Sequence, residues 1–355
     1  MLSTTETPGG STRSDPGGSR TRRTTRSGRL TARQVNLLLE VLVAIAIVTG
    51  TASWMLSDRW VGWTTTVHAI AGLALVIVVP AKLRGSVRTG FRRRRTTRWL
   101  SAVFGVLVLA TLTLGVLHTI GLWFGVGPWS ALWTHQLLGF VIIPFFMWHL
   151  VSRPVRPKVT DVDRRAAIRT GVIAGGAAGA YVAQRVLAGD DRRQTGSREI
   201  ASFDPANMPR VSWINDTRPG NTAADAWELR IDGELMPIAA LWDRARPVSA
   251  VLDCTGGWWS EQRWDAVALG ELIPNLSGRS VRVVSSTGYD RYIGASALDR
   301  TYLAVGYGGE PLRAGHGAPV RLIVPGRRGP WWVKWVTSVS NSDRPTWMQP
   351  PLPLA

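Results

Sequence analysis

Long apolar runs fill the first half of the chain, and short mixed stretches fill the second half. Four runs are each close to the ~20 residues needed to cross a bilayer as a helix. They cover residues 35–56, 63–81, 99–123 and 132–151, and a weaker Gly- and Ala-rich run follows at 171–183. The pattern predicts an N-terminal α-helical transmembrane bundle of four to five spans.

The second half has the pattern of a soluble α+β domain. Residues 227–233 alternate between apolar and polar side chains and end in Asp-Gly, which predicts a strand and a turn. Further strands are expected at 281–284 and 320–324, and short helices at 238–244, 264–273 and 294–303. Strands and helices do not alternate regularly, so an α+β fold is favoured over a doubly wound sheet.

These patterns divide the chain into four segments. Residues 1–33 are rich in Ser, Thr, Gly and Arg and are predicted to form a disordered basic cytoplasmic tail. Residues 34–152 form the four-span membrane domain. Residues 153–202 contain a basic loop, the fifth apolar segment and a linker. Residues 203–355 form the C-terminal domain, which is long enough to bury one core.

The distribution of charge predicts the topology. The formal net charge is +18, yet residues 190–355 carry 19 Lys and Arg against 18 Asp and Glu. The basic excess lies between apolar runs, most densely in residues 82–98, which hold eight basic side chains. Basic loops stay in the cytoplasm. We therefore expect a multi-pass protein of the cell membrane, with the N-terminus inside, the C-terminal domain outside and no nucleic-acid partner.

The fifth apolar segment has two interpretations. Arg164 and Arg165 precede it, which resembles a twin-arginine export signal placed inside the chain. A plain fifth span needs no such signal. Either alternative leaves the residues after about 188 outside the cytoplasm.

Cys254 is the one cysteine of the chain, so it cannot form an internal disulfide. It follows the apolar run Ala250-Val251-Leu252 and precedes Gly256 and Gly257. A thiolate at the end of a strand, beside a glycine turn, is suited to bind a soft metal. The alternative is a buried structural cysteine that packs as a small apolar residue.

A second stretch favours the metal. Gly315-His316-Gly317-Ala318-Pro319-Val320-Arg321 is followed by Val333-Lys334-Trp335. Together with Asp253-Cys254-Thr255-Gly256-Gly257, this stretch resembles the molybdopterin-binding domain of the sulfite oxidase superfamily, which includes periplasmic methionine sulfoxide reductases. The resemblance covers roughly residues 227–340. It implies a molybdopterin-dependent oxidoreductase that transfers an oxygen atom in a two-electron reaction.

The resemblance also implies roles for individual residues. Cys254 matches the thiolate ligand of molybdenum, and His316, Arg321 and Lys334 match positions that contact the pterin cofactor. Tyr289 is a candidate for the pocket wall. The Arg-x-His motif of sulfite oxidases is not recognisable, and Asn215 is a candidate for part of its role.

One departure bears on the substrate. Sulfite oxidases carry arginines shortly after the cysteine, whereas Gly256, Gly257, Trp258 and Trp259 stand there in this chain. A tryptophan wall favours a neutral or partly apolar small molecule, so sulfite is doubtful as the substrate. The alternative to an enzyme is a metal-free membrane-anchored binding module of the same fold.

Histidines in the apolar half raise a second function. The stretch from His68 to Gly72 aligns with that from His135 to Gly139, which resembles cytochrome b spans, and His118 lies at the same membrane face. Facing imidazoles can hold a haem between them. We expect either one b-type haem held by His68 and His135, with His118 in reserve, or histidines that only hydrogen-bond to neighbouring helices. A haem would link the site to a membrane quinone or another electron-transfer partner.

Overall fold

Five long helices precede a domain of strands and short helices. The computed structural model describes residues 30–55, 58–92, 98–121, 125–126, 129–187, 192–210, 224 and 226–349. The long helices are α1 (Ala32–Met55), α2 (Asp58–Arg92), α3 (Arg98–Thr119), α4 (Ala131–Ser152) and α5 (Arg164–Leu187). All five are long and apolar enough to cross a membrane. The predicted disordered tail lies outside the described residues, apart from its last four.

The helices form two hairpins. Helix α1 packs against α2, helix α3 packs against α4, and α5 packs against α2. Side-chain caps explain where two helices begin: Ser130 Oγ accepts a hydrogen bond from Trp133 N (3.1 Å) at the start of α4, and Asp163 Oδ1 accepts one from Ala166 N (2.6 Å) at the start of α5. Arg164 and Arg165, the pair that resembles an export signal, therefore lie in the first turn of α5.

A short hairpin lies between α3 and α4, and the elements of the C-terminal domain follow α5. Strands β1 (Gly125–Val126) and β2 (Trp129–Ser130) form a hairpin between α3 and α4. The C-terminal elements are β3 (Arg198–Glu199), β4 (Leu229–Ile231), β5 (Glu234–Met236), α6 (Ile238–Arg244), β6 (Arg246–Asp253), β7 (Trp258–Ala268), α7 (Leu269–Leu272), β8 (Ser280–Ser285), β9 (Asp290–Ile293), β10 (Tyr302–Tyr307), β11 (Glu310–Pro311), β12 (Arg321–Ile323) and β13 (Val336–Ser342).

Two sheets build the C-terminal domain. In one sheet, β7 lies between β6 and β10, with β3, β11 and β12 at the margins. In the other, the strand order is β5-β4-β13-β8-β9. The core between them contains fully buried side chains such as Trp264, Leu303 and Val339. Helices and strands do not alternate along the chain, which confirms the predicted fold class: a helical bundle followed by an α+β domain.

Two predicted helices of this domain are wrong. Residues 264–268 belong to β7, and only Leu269–Leu272 are helical. The reason is non-local, because β6 and β10 pair with β7 over these residues. Residues 295–300 form 3-10 turns, and β10 begins at Tyr302. The division of the chain at residues 33, 152 and 202 stays a prediction.

Candidate functional site

Cys254 lies directly after β6, in a tight turn that leads into β7. Its backbone N donates to Trp258 O (2.8 Å), and Gly257 N donates to Cys254 O (3.1 Å). Gly256 N donates to the thiol Sγ at 3.4 Å. Gly257 has φ +91°, a conformation that L side chains rarely adopt. Burial raises the pKa of the Cys254 thiol, so a bound cation is needed to make it a thiolate at neutral pH.

A charged network fixes the backbone of this turn. The buried Asp253 carboxylate accepts hydrogen bonds from Ser197 Oγ (2.8 Å) and Arg193 Nε (3.1 Å). Arg328 lies 3.5 Å from the same carboxylate and donates to Cys254 O at 3.2 Å. Its other Nη donates to Ser53 O (2.8 Å), near the end of α1. Arg328 therefore connects the cysteine turn to the helical bundle.

The second predicted stretch forms a buried cationic cluster. His316 is 3% exposed, its Nδ1 lies 3.0 Å from Tyr307 Oη, and its Nε2 lies 3.2 Å from Met208 O. Burial, together with the charges of Arg321 and Lys334, lowers the pKa of His316 to about 3. The imidazole is therefore neutral at physiological pH, and the positive charge of the cluster resides on the arginine and the lysine.

Arg321 is held rigidly inside this cluster. Its Nη1 donates to His316 O (2.9 Å), and its guanidinium lies over the rings of Trp264 (5.8 Å) and Trp332 (5.6 Å). Stacked guanidinium groups keep a fixed orientation for bidentate contacts to phosphate. Gly317 allows the close approach of the chain segments, since a Cβ there would lie 3.1 Å from Lys334 Cβ.

Lys334 connects the cysteine to the cationic cluster. Its charge lowers the pKa of both the Cys254 thiol and His316, which places its ammonium group within electrostatic reach of each. The structure thus brings Cys254, His316, Arg321 and Lys334 to one side of the domain. The donor set consists of one buried thiol, two cations and a neutral imidazole, which suits a soft metal beside an anionic, hydrogen-bonding organic ligand.

The two weaker candidates have different outcomes. Tyr289 donates its hydroxyl hydrogen to Pro330 O and lies under the guanidinium of Arg291 (4.4 Å). Burial raises the pKa of Tyr289, so it stays protonated. It braces the loop in which Gly329 packs against the Cys254 backbone. Asn215 lies outside the described residues, and its role stays a prediction.

The family comparison agrees with this geometry. Residues 216–348 match the sequence model of a family described as "Oxidoreductase molybdopterin binding domain". The C-terminal unit matches a molybdopterin-binding oxidoreductase domain. A solved structure that the chain resembles is the sulfane dehydrogenase SoxCD from Paracoccus pantotrophus, with 21% sequence identity and a TM-score of 0.32. That similarity covers 35% of this chain and 40% of the dehydrogenase chain, so this chain spans well under half of its length.

The helical bundle brings two histidines into contact. The rings of His68 on α2 and His135 on α4 lie edge to face, with centroids 5.8 Å apart. His68 Nδ1 lies 2.9 Å from Ala46 O, and His135 Nδ1 lies 2.8 Å from Thr111 O. A carbonyl can only accept, so each Nδ1 carries the proton and each Nε2 keeps a free lone pair.

Glycines on the neighbouring helices make room for both rings. A Cβ at Gly50 would lie 2.9 Å from His68 Cε1, and a Cβ at Gly115 would lie 3.1 Å from His135 Cε1. Gly50 lies four residues after Ala46, and Gly115 lies four residues after Thr111, whose carbonyls accept the histidine hydrogen bonds. The two hairpins therefore repeat the same arrangement. The predicted repeat of α2 and α4 therefore extends to α1 and α3. The spacing of 65 residues between Gly50 and Gly115 is the signal in the sequence that could have revealed this repeat.

His118 lies apart from the histidine pair, at the contact between the bundle and the C-terminal domain. A Cβ at Gly257 would lie 2.6 Å from His118 Cε1 and 2.8 Å from Leu132 Cδ2. Beside them, Gln136 Nε2 donates to Thr255 O at 2.8 Å. The cysteine turn therefore packs directly on the ends of α3 and α4. Sequence reasoning missed Gln136 and Arg328, because their partners lie more than 70 residues away.

Proposed function

We propose that this protein is a membrane-anchored molybdopterin-dependent oxidoreductase that transfers an oxygen atom in a two-electron reaction. The observation that carries the proposal is the buried Cys254 thiol beside the His316–Arg321–Lys334 cluster, within the residues that match the molybdopterin-binding domain. Molybdenum bound there would supply the two-electron redox chemistry, as the cofactor does in such enzymes.

The residues of this chain would bind and orient the cofactor. Cys254 would donate a thiolate ligand, and the Gly256 N–H would hydrogen-bond to its sulfur. Arg321, with its orientation fixed by two indole rings, would grip the cofactor phosphate in a bidentate contact. Lys334 would favour the thiolate by its positive charge. His316, neutral and buried, would hold the Arg321 loop through its carbonyl.

The substrate we propose is a small neutral or partly apolar molecule. Trp258 follows the cysteine turn and is 2% exposed, and Trp259 is only partly buried. Arg193 pairs with the Asp253 carboxylate beside the turn and lies over the Trp259 ring. These contacts leave it poorly placed to bind an anionic substrate, which supports a neutral substrate over sulfite.

We further propose that the histidine pair binds one b-type haem, which would carry single electrons to the membrane quinone pool. His68 and His135 come from helices α2 and α4, and their ring centroids lie 5.8 Å apart. Both imidazoles would hold the haem iron. Ligand histidines usually donate their other N–H to a carbonyl or carboxylate, as both do in this bundle.

Metal and haem analysis of one purified sample tests both proposals. We expect molybdenum at about one atom per chain, because the domain has one candidate thiolate. Protein from a host that makes the cofactor, yet without molybdenum, would support the alternative of a metal-free binding module. Molybdenum without haem absorbance would mean that the spans serve as an anchor and that a separate electron partner is required.

The orientation in the membrane follows from charge and contact together. The C-terminal domain packs on the bundle end formed by Ser53, His118 and Gln136. Arg33 and Arg153 lie at the opposite end, where Arg33 pairs with Asp161 (2.8 Å). We propose that this basic end is cytoplasmic, that the domain is extracytoplasmic, and that α5 is a retained fifth span.

Reporter fusions test this topology. A reporter that is active only outside the cytoplasm should be active when fused after residue 355 and silent when inserted within residues 85–97, because positively charged loops are retained inside. A cytosol-specific reporter at the same two positions is the control and should show the reverse pattern. Activity of the first reporter at 85–97 alone would reverse the proposed orientation.

Replacement of Arg321 tests the cofactor phosphate contact. We expect Arg321→Ala to weaken cofactor binding by roughly 10- to 100-fold, since a hydrogen bond to a charged group contributes about 1.5–3 kcal/mol. Pterin and molybdenum content under limiting cofactor supply is the measurement. Arg344→Ala is a matched control, because Arg344 also lies over an aromatic ring, Tyr292 at 4.8 Å, but outside the cluster. Equal occupancy in both variants would contradict the assignment.

A further inference from the structure

A cavity connects the histidine pair to a group of arginines at the contact between bundle and domain. Its volume is about 250 Å³, and it is mainly lined by apolar side chains of the membrane helices. His68 and His135 lie in its wall within the bundle, whereas Arg185, Arg192 and Arg328 line its end beside the C-terminal domain. The cavity is therefore apolar at one end and cationic at the other.

Two of these arginines bind backbone carbonyls, and the described residues place no carboxylate beside them. Arg192 is 8% exposed, and it donates to Thr119 O (2.7 Å) and Gly196 O (3.0 Å). Arg185 donates to the carbonyls of residues 192 and 193. In the described part of the chain, no carboxylate lies within ion-pair distance of Arg185 or Arg192. By contrast, Arg328 is paired with Asp253.

The C-terminus of helix α3 offsets only part of the positive charge of the arginines around it. Thr119 is the last residue of α3, and its carbonyl accepts from Arg192, from Arg198 (3.5 Å) and from Gln184 (3.2 Å). A helix C-terminus carries only about −0.5 elementary charge. The guanidinium groups of Arg185, Arg192 and Arg198 carry three positive charges. Burial, together with the charges of Arg198 and Arg185, lowers the pKa of Arg192 to about 10.

We propose that Arg192 and Arg185 bind the carboxylate edge of the ligand that the histidine pair holds. This inference rests on the proposed haem, a planar apolar macrocycle with two carboxylates on one edge. The apolar end of the cavity suits the macrocycle, and buried guanidinium groups form strong charge-assisted hydrogen bonds with carboxylates. Arg328 joins the same end of the cavity to Cys254 O. A carboxylate edge bound by these arginines would lie at the end of the cavity beside the cysteine turn.

Two porphyrins that differ only in their carboxylates test the proposal. The full-length protein is produced in a host that lacks haem and is titrated with iron protoporphyrin IX and with its dimethyl ester, with the Soret band as the readout. We expect the wild type to bind the free acid about tenfold more tightly than the diester, the effect of one charged hydrogen bond. In Arg192→Gln this preference should fall to near one, while the affinity for the diester stays unchanged.

Arg198→Gln is the matched control. Arg198 donates to the same Thr119 carbonyl, but it does not line the cavity. It should keep the wild-type preference, and so should Arg192→Lys, which retains the charge. The diester partitions into detergent more strongly than the free acid does. This effect is the same for every variant, so it cancels when the preference for the free acid is compared between variants. Unchanged binding of the diester would show that Arg192→Gln is folded. If that variant does not fold, Arg185→Gln takes its place.

Each result has a definite consequence. An unchanged preference for the free acid in both Arg192→Gln and Arg185→Gln overturns the assignment of the arginines and leaves the haem proposal intact. Equal affinity of the wild type for the two porphyrins also overturns the assignment of the arginines and leaves the haem proposal intact. If the wild type binds neither porphyrin, the haem proposal fails together with this inference.

Discussion

Replacement of Cys254 by serine should reduce turnover by roughly three orders of magnitude or more, which corresponds to about 4 kcal/mol in the activation barrier. The serine oxygen is hard and is protonated at neutral pH, whereas a thiolate is a polarisable ligand that suits a metal of changing oxidation state. The substitution removes one metal ligand. It leaves in place the hydrogen bonds of the turn, which are made by backbone groups and by Asp253.

Cofactor content separates this effect from a loss of fold. Arg321 and Lys334 are unaltered in Cys254→Ser, so the pterin content should remain close to that of the wild type. Turnover is measured by viologen-coupled reduction of a panel of small S-oxides and N-oxides. The electron paramagnetic resonance of the one-electron-reduced metal should change as well, because a sulfur ligand has been lost.

Ser249→Ala is a control on the same strand. Ser249 is an exposed residue of β6, five positions before the cysteine, and its replacement should leave both turnover and pterin content at wild-type values. Full turnover in Cys254→Ser would exclude a metal–thiolate bond. The cysteine would then be an apolar packing residue of the core, in which it is in fact buried.

The spans were predictable because the signal for them is local. A run of about 20 apolar residues predicts a membrane helix without knowledge of its neighbours. The helix ends were less predictable: α2 continues to Arg92, beyond the apolar run that ends at residue 81. Arginine is a good helix former, so a helix can extend past the bilayer wherever the loop is basic.

The strand β7 shows where local patterns fail. Residues 264–268 were compatible with a short helix, but hydrogen bonds to β6 and β10 make them a strand. Those partners come from residues 246–248 and 302–307, and no local propensity contains this information. Hence the fold class could be predicted from the sequence, whereas the extent of its individual strands could not.

The candidate site was accessible from the sequence only in part. Cys254 and His316 belong to stretches that resemble a known domain. Arg328 and Gln136 belong to no such stretch, and their importance arises from contacts with Cys254 O and Thr255 O. Such contacts depend on how the C-terminal domain packs on the bundle, which no motif reports.

His135→Ala should abolish the b-type haem spectrum of the purified protein. The wild type should show about one haem per chain in the reduced-minus-oxidised difference spectrum, because His68 and His135 would together hold one haem iron. Loss of His135 removes one of them and leaves a void beside Gly115, which packs on the ring. His68→Ala should have the same effect, because the two histidines have equivalent positions in the repeat.

Two histidines outside the pair serve as matched controls for this result. His149 lies on the same helix as His135, near its C-terminal end, with its ring 5.7 Å from that of Phe104. His118 contacts Gly257 at the domain contact. His149→Ala should retain the full haem content, and so should His118→Ala. Loss of haem in His118→Ala but not in His68→Ala would move the second ligand to α3. The edge-to-face contact of His68 and His135, the shared use of Nδ1 and the paired glycines all favour His68.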